Sequence, residues 1–190
     1  MGSACSGKIP MPLYVKELNP PAEEMCPRSE ELEEYKNLPL IDHNKQLMTC
    51  DVTHIDKIIV YFGDYIIGIE VEYTMDRKKR IFGIMGTESP IQRDEVKLDS
   101  DEHIDTLTCY YNKEAITSIY FRTTKGKTVF FDTEIRGEMK SEVNLKDNCR
   151  AAVSFKGKAG HYLYNLWVCH EKIIRVAEEP KGMVLTNSWQ

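Results

Sequence analysis

The strongest constraint on this chain is one alternating pattern that occurs three times. His54-Ile55-Asp56-Lys57-Ile58 and His103-Ile104-Asp105-Thr106-Leu107 open alike, 49 residues apart. In the first copy Ile58, Val60 and Phe62 alternate, as a half-buried strand requires. A turn at Gly63-Asp64 follows, then Ile66, Ile69, Val71 and Tyr73. In the second, Leu107, Cys109 and Tyr111 alternate, the chain turns near Asn112-Lys113, and Ile116, Ile119, Phe121 and Thr123 repeat the spacing. A third copy runs through Ala151, Val153 and Phe155, a turn at Gly157 to Gly160, and Leu163, Leu166 and Val168. The step from Ile66 to Ile116 is 50 and from Ile116 to Leu163 is 47. A lone hairpin buries one face at most, so three must pack against one another.

Further strand candidates lie between the hairpins at 80–85, 95–98 and 127–131, punctuated by turn signals such as Thr124-Lys125-Gly126-Lys127. The body therefore reads as all-β, three four-stranded units occupying 38–176. A chain of 190 residues has enough length for such a core without disulfide or metal staples. Six cysteines with no apolar signal-peptide core point to a reducing compartment and mostly free thiols. No run of 18 apolar residues is present, which excludes a membrane-spanning helix. A net charge of −5 argues against a nucleic-acid partner, since neutralising phosphates needs a basic surface.

The N-terminus, residues 1–8, reads as an anchor. Gly2 after the initiator Met, with Ser6 in the sixth position, fits the N-myristoylation pattern, and Cys5 is placed for a second, palmitoyl chain. Two chains hold a protein on a bilayer where one gives only reversible binding. Residues 9–37 read as an irregular arm, with Pro10, Pro12, Pro20, Pro21 and Pro27 interrupting any long helix. A short helix over 29–37 is expected, capped by Ser29 with Glu30 and Glu31 in its first turn. Residues 17–35 hold seven Glu and one Arg, net −6, so the acidity of the chain belongs to this arm. It reads as a solvated linker, or alternatively as a docking strap for a basic partner. Residues 177–190 form a tail ending Asn187-Ser188-Trp189-Gln190.

The body resembles a jacalin-related lectin domain. The matching stretches are Ile55-Asp56-Lys57-Ile58-Ile59-Val60, Ile66-Ile67-Gly68-Ile69-Glu70-Val71-Glu72-Tyr73, Leu98-Asp99-Ser100-Asp101-Glu102-His103-Ile104, Ile119-Tyr120-Phe121-Arg122-Thr123 and Val153-Ser154-Phe155-Lys156-Gly157. The resemblance covers 54–171. It implies a β-prism of three Greek-key sheets with pseudo-threefold symmetry, a first strand within 38–50, and dimers or tetramers as assemblies. It also implies a sugar site at the third hairpin turn, where Gly-x-x-x-Asp holds two adjacent sugar hydroxyls through backbone N–H groups and a carboxylate. The corresponding segment is Gly160-His161-Tyr162-Leu163-Tyr164, with Tyr164 in the Asp position. The family's glycine-rich loop beside the first strand is replaced by Leu40-Ile41-Asp42-His43-Asn44, which has no glycine. Gly160, His161, Tyr162 and Tyr164 remain the candidate ligand-binding residues.

Other chemistry is sparse. The five histidines, His43, His54, His103, His161 and His170, show no helical metal-ligand spacing, and there is no C-x-x-C. Cys169 and His170 are adjacent on a strand and point to opposite faces, which disfavours a nucleophilic pair. Cys109 and Cys169 fall on alternating positions and read as small buried hydrophobes, while Cys26, Cys50 and Cys149 have no assignable role. No P-loop, nucleophile elbow or dinucleotide fingerprint occurs, so neither catalysis nor a cofactor or metal is expected. Arg77-Lys78-Lys79-Arg80 is a basic cluster that would meet anionic lipid or a partner, or keep a turn or edge strand soluble. Trp167 faces opposite to Leu166 and Val168.

These features lead to the expectation of a non-enzymatic adaptor or scaffold, lipid-anchored to the cytoplasmic face of a membrane and binding a protein partner. The alternative is a lectin with a non-standard site at 160–164. Anchoring predicts that Gly2→Ala moves the protein from the membrane layer to the load fraction in liposome flotation after expression in acylating cells. An unmodified Gly2 in the mass spectrum of the native protein would contradict it.

Overall fold

The three repeats fold as three antiparallel hairpins. In the computed structural model, residues 13–15, 22–25, 38, 40–42, 52–75, 78–84 and 92–174 are described. The first hairpin pairs β4 (Val52–Phe62) with β5 (Ile66–Met75), the second β8 (Ile104–Tyr111) with β9 (Ile116–Thr123), and the third β12 (Arg150–Ala159) with β13 (Leu163–Ile174). Their equivalence extends to irregularities. Each ladder skips a residue near the start of its first strand, between Ile55 and Lys57, Ile104 and Thr106, and Ala152 and Ser154, and the first has a further shift between Val52 and His54. Each shifts again beside the turn, at Tyr61/Phe62, Tyr110/Tyr111 and Lys158/Ala159. A bulge adds twist and bends the strand at a chosen point.

This placement explains the shared His-Ile-Asp. Asp56 and Asp105 are the extra, bulged residues, and each carboxylate is satisfied locally. Asp56 accepts from Thr74 Oγ1 and faces His54 Nδ1 at 3.1 Å; Asp105 accepts from Thr106 Oγ1 at 3.0 Å and pairs with Arg122 Nε at 2.9 Å. In the third hairpin Val153 takes the bulged position, so the motif is lost there while the geometry is kept.

Outer strands complete each sheet. β6 (Lys78–Ile84) and β7 (Gln92–Lys97) flank the first hairpin in the order β6-β5-β4-β7. β10 (Thr128–Asp132) and β11 (Met139–Asn144) flank the second in the order β10-β9-β8-β11. Both are Greek-key orders. The third sheet takes its outer strands from the N-terminal side instead. β3 (Ile41–Asp42) pairs with β12, within the span expected for the first strand. Along β13 lie β1 (Leu13–Val15), opposite 172–174, and β2 (Ala22–Met25), opposite 166–169. Both run antiparallel to β13, so together they form one interrupted edge strand. A short 3-10 helix, Lys146–Asn148, links β11 to β12.

Parts of the arm thus belong to a sheet, which differs from a wholly irregular or helical arm. Glu24 Oε1 accepts from Asn165 Nδ2 at 2.6 Å, Glu23 Oε1 lies 3.2 Å from His170 Nε2, and Met25 is buried in the core. Part of the acidic stretch is therefore not a solvated linker: it lies against β13 with its carboxylates at the surface. The helix expected at 29–37, the anchor and the tail beyond 174 lie outside the described residues.

The core lies between the sheets. Ile58, Val60, Ile69, Val71, Leu107, Cys109, Ile119, Phe121, Phe155, Leu166 and Val168 all face inward. Phe121 meets Phe131 edge-on at 5.9 Å and Phe155 of another sheet at 6.4 Å. Cys169 is also buried, and Trp167 is half-buried on the opposite face, between Lys156 and Glu24 in the register. At the end of the prism away from the hairpin turns, His54 donates through Nε2 to the Glu102 carbonyl at 2.7 Å and its ring lies 5.1 Å from that of His103. Burial, then the facing His54, pushes His103 down to about 4.

Two expectations follow from these contacts. Phe121→Ala removes the side chain shared between sheets and should cost about 3–5 kcal/mol in chemical denaturation. For His103, the folded pKa lies below the unfolded one, so its contribution is present above pH 6.5 and is lost as the pH falls towards 4. The loss should reach about 2–3 kcal/mol, visible as a urea midpoint that falls more steeply between pH 7 and pH 4 in the parent than in His103→Gln.

Candidate functional site

The hairpin turns converge at one end of the prism. Each is closed by a backbone bond across the turn: Gly63 N–H to Tyr65 O at 3.0 Å and Gly160 N–H to Tyr162 O at 3.0 Å span two residues, and Asn112 N–H to Ala115 O at 3.1 Å spans three. In the second turn Asn112 Oδ1 also accepts from the Glu114 and Ala115 N–H groups at 2.8 and 3.1 Å, a side chain replacing a backbone acceptor.

The turns meet in a small cluster separate from the main core. Tyr65, Ala115 and Tyr164 are buried there, with Leu38, Ile135 and Tyr162 packed against them. The Tyr65 and Tyr162 rings are tilted against each other at 4.7 Å, and Tyr162 meets Tyr164 edge-on at 6.5 Å. Tyr65 donates to the Glu114 carboxylate and accepts from Asn112 Nδ2 at 3.3 Å. The bond to Glu114 holds the Tyr65 phenol above its ordinary pKa.

All four residues singled out at this turn are brought together, with unequal roles. His161 is exposed and Tyr162 half-buried, so both reach solvent. Tyr164 is only 8 % exposed. Its ring lies against Gly160, where a Cβ would come within 3.2 Å of Tyr164 Cε2 and 3.5 Å of Leu38. The position that would supply a carboxylate supplies a packed ring instead. A buried phenol cannot give the two-oxygen grip that a carboxylate gives to neighbouring hydroxyls.

The basic cluster lies elsewhere. Lys78, Lys79 and Arg80 begin β6, opposite Met75, Thr74 and Tyr73, on an edge strand and at the end of the sheet away from the turn. Arg77 lies outside the described residues. Reading the sequence did not single out Tyr65, Leu38, Asn112, Glu114 or Ile135. The available signal was positional: Tyr65 and Ala115 close their turns as Tyr162 closes its own.

This geometry can be set beside known proteins. The family model described as jacalin-like lectin domain matches residues 42–168. The chain belongs to the jacalin-like lectin family. Solved lectins share the prism at low identity. Artocarpin complexed with methyl-α-mannose is 18% identical, with TM-score 0.56, covering 63% of this chain and 85% of that one. AcmJRL, a mannose-binding jacalin-related lectin from Ananas comosus, is 15% identical, with TM-score 0.55 over 64% and 84%. The galactose-specific lectin from Artocarpus hirsuta, in complex with methyl-α-D-galactose, is 16% identical, with TM-score 0.56 over 63% and 93%. No curated protein matches. These likenesses establish a jacalin-like prism.

Tyr164→Asp should therefore destabilise rather than restore a site. Placing a carboxylate among Tyr162, Leu38 and Tyr65 should cost about 2–4 kcal/mol in thermal denaturation, whereas Tyr164→Phe should stay within about 1 kcal/mol. A Tyr164→Asp variant of parental stability would mean that the ring does not pack as described.

Proposed function

We propose that this chain is a non-enzymatic binding module whose ligand is a saccharide and whose recognition does not depend on the carboxylate turn of its family. The observation that carries this reading is the jacalin-like lectin match over 42–168. The neighbours sharing the prism include lectins described with mannose and galactose, which supports a sugar as ligand class. The packed Tyr164 argues against the Gly-x-x-x-Asp grip at this end. What remains there is His161 and the half-buried Tyr162, a smaller polar tip.

A second reading is a lipid-anchored adaptor that binds protein rather than sugar. Gly2, Cys5 and Ser6 favour it, together with the missing carboxylate at 164. The basic run 77–80 would then add anionic-lipid attraction of about 1 kcal/mol per charge near the surface.

A glycan array probed with the recombinant full-length chain separates the two. The saccharide reading expects at least one glycan class retained and released by the free sugar. A blank array at high protein concentration, with one protein recovered in stoichiometric amount from membrane extracts, would replace it with the adaptor reading.

A further inference from the structure

The outward face of the second sheet holds a groove that the hairpin end does not explain. The register sets it up. Phe131, Ile119 and Cys109 point into the core, so their neighbours Phe130, Tyr120, Ser118 and Tyr110 point out. Phe130 lies opposite Tyr120, and Asp132 opposite Ser118, which in turn faces Tyr110. Phe130 is 50% exposed, the most exposed of the large apolar side chains among the described residues. Its ring stands edge-on to Tyr110 at 6.4 Å and is tilted against Tyr120 at 6.3 Å.

The segment 133–138 folds over the end of this face. Thr133 Oγ1 donates to Ile135 O at 3.1 Å. Gly137 approaches β8 so closely that a Cβ would lie 2.5 Å from Tyr111 N and 2.9 Å from the Tyr110 carbonyl carbon. Only glycine permits that approach, and it places the adjoining Arg136 on the rim of the same groove as Tyr110. The result is a groove of about 230 Å³ lined by Tyr110, Ser118, Phe130, Asp132, Arg136 and Gly137.

Its polar groups are largely uncommitted. Ser118 Oγ donates to Asp132 Oδ1 at 2.5 Å, orienting the carboxylate. Among the described residues, Asp132 Oδ2, the Arg136 guanidinium and the Tyr110 hydroxyl have no hydrogen-bond partner. An apolar ring face thus sits beside an acceptor carboxylate, a forked donor and a phenol. One negative and one positive group sum to zero. A phosphorylated ligand would meet Asp132 and a basic peptide would meet Arg136, so the groove suits a neutral ligand. A pyranose has matching surfaces: a patch of C–H groups on one face and adjacent hydroxyls around its edge.

We propose that this groove is a saccharide site. A neutral pyranose packs its C–H face on Phe130, Asp132 accepts from two adjacent hydroxyls, and Arg136 donates to a ring or hydroxyl oxygen. The ligand class rests on the saccharide reading above; the location does not, since it lies on a sheet face and not at the turn carrying Gly160.

The test uses the full-length chain with methyl α-mannoside, methyl α-galactoside and methyl β-glucoside, titrated by ligand-observed NMR and calorimetry. At least one should bind. Phe130→Ala and Asp132→Asn should each weaken it roughly tenfold or more, Arg136→Gln severalfold, and His161→Ala not at all. Asp132→Asn keeps shape, and a matching thermal midpoint shows that the variants fold. Binding that survives Phe130→Ala and Asp132→Asn but is lost in His161→Ala overturns the groove and leaves the saccharide reading standing. No binding of any glycoside at millimolar concentration overturns both. Tighter binding of a sugar phosphate than of its neutral parent overturns the charge argument and with it the proposal.

Discussion

Everything in this protein depends on three hairpins that each have one apolar face and must bury it against the other two. Phe121 makes the dependence concrete, because its ring touches Phe131 in its own sheet and Phe155 in the next. No sheet can keep its inner face dry alone. The bulges at equivalent points of all three ladders bend the hairpins alike, so the sheets close on one another. Two consequences follow for function. The turns gather at one end, and the outward faces are left to whatever side chains alternate with the core.

At the gathered end, packing and ligand recognition compete for the same positions. A sugar-binding turn needs a carboxylate facing water with its acceptors uncommitted. Here Tyr164 turns its ring under Gly160 and joins Tyr65, Tyr162 and Leu38. Aromatic contacts of this kind stabilise by roughly 0.5–1.5 kcal/mol each beyond their burial. That gain is incompatible with an open acidic pocket. On the second sheet the balance is reversed: Phe130 stays exposed, and the exposed polar groups beside it keep hydrogen-bonding capacity open to a ligand.

Much of the architecture was legible from alternation alone, because period-two patterns with repeated spacing survive wherever one face is buried. The hairpins, the 80–85, 95–98 and 127–131 strands and the three-sheet closure all came from it. β11 did not, because Met-Lys-Ser-Glu-Val-Asn has only Val143 facing inward. β1 and β2 did not either: a strand of three or four residues beside prolines carries almost no periodic signal, and its pairing with β13 spans about 140 residues of sequence. Within the site, the loss of the carboxylate at 164 was readable, but the direction of the Tyr164 ring was not. The groove was invisible for a related reason. Tyr110, Ser118, Phe130, Asp132 and Arg136 come from four segments, and only the register of β8, β9 and β10 makes them neighbours.

The central claim is that recognition has left the third hairpin turn for the outward face of the second sheet. Amide chemical-shift mapping of the full-length chain during titration with methyl α-mannoside and methyl α-galactoside tests it most directly. The account predicts perturbations centred on Tyr110, Ser118, Phe130, Asp132 and Arg136, with Gly160, His161 and Tyr162 unmoved. Perturbations centred on Gly160 to Tyr164, with the second sheet silent, would contradict it.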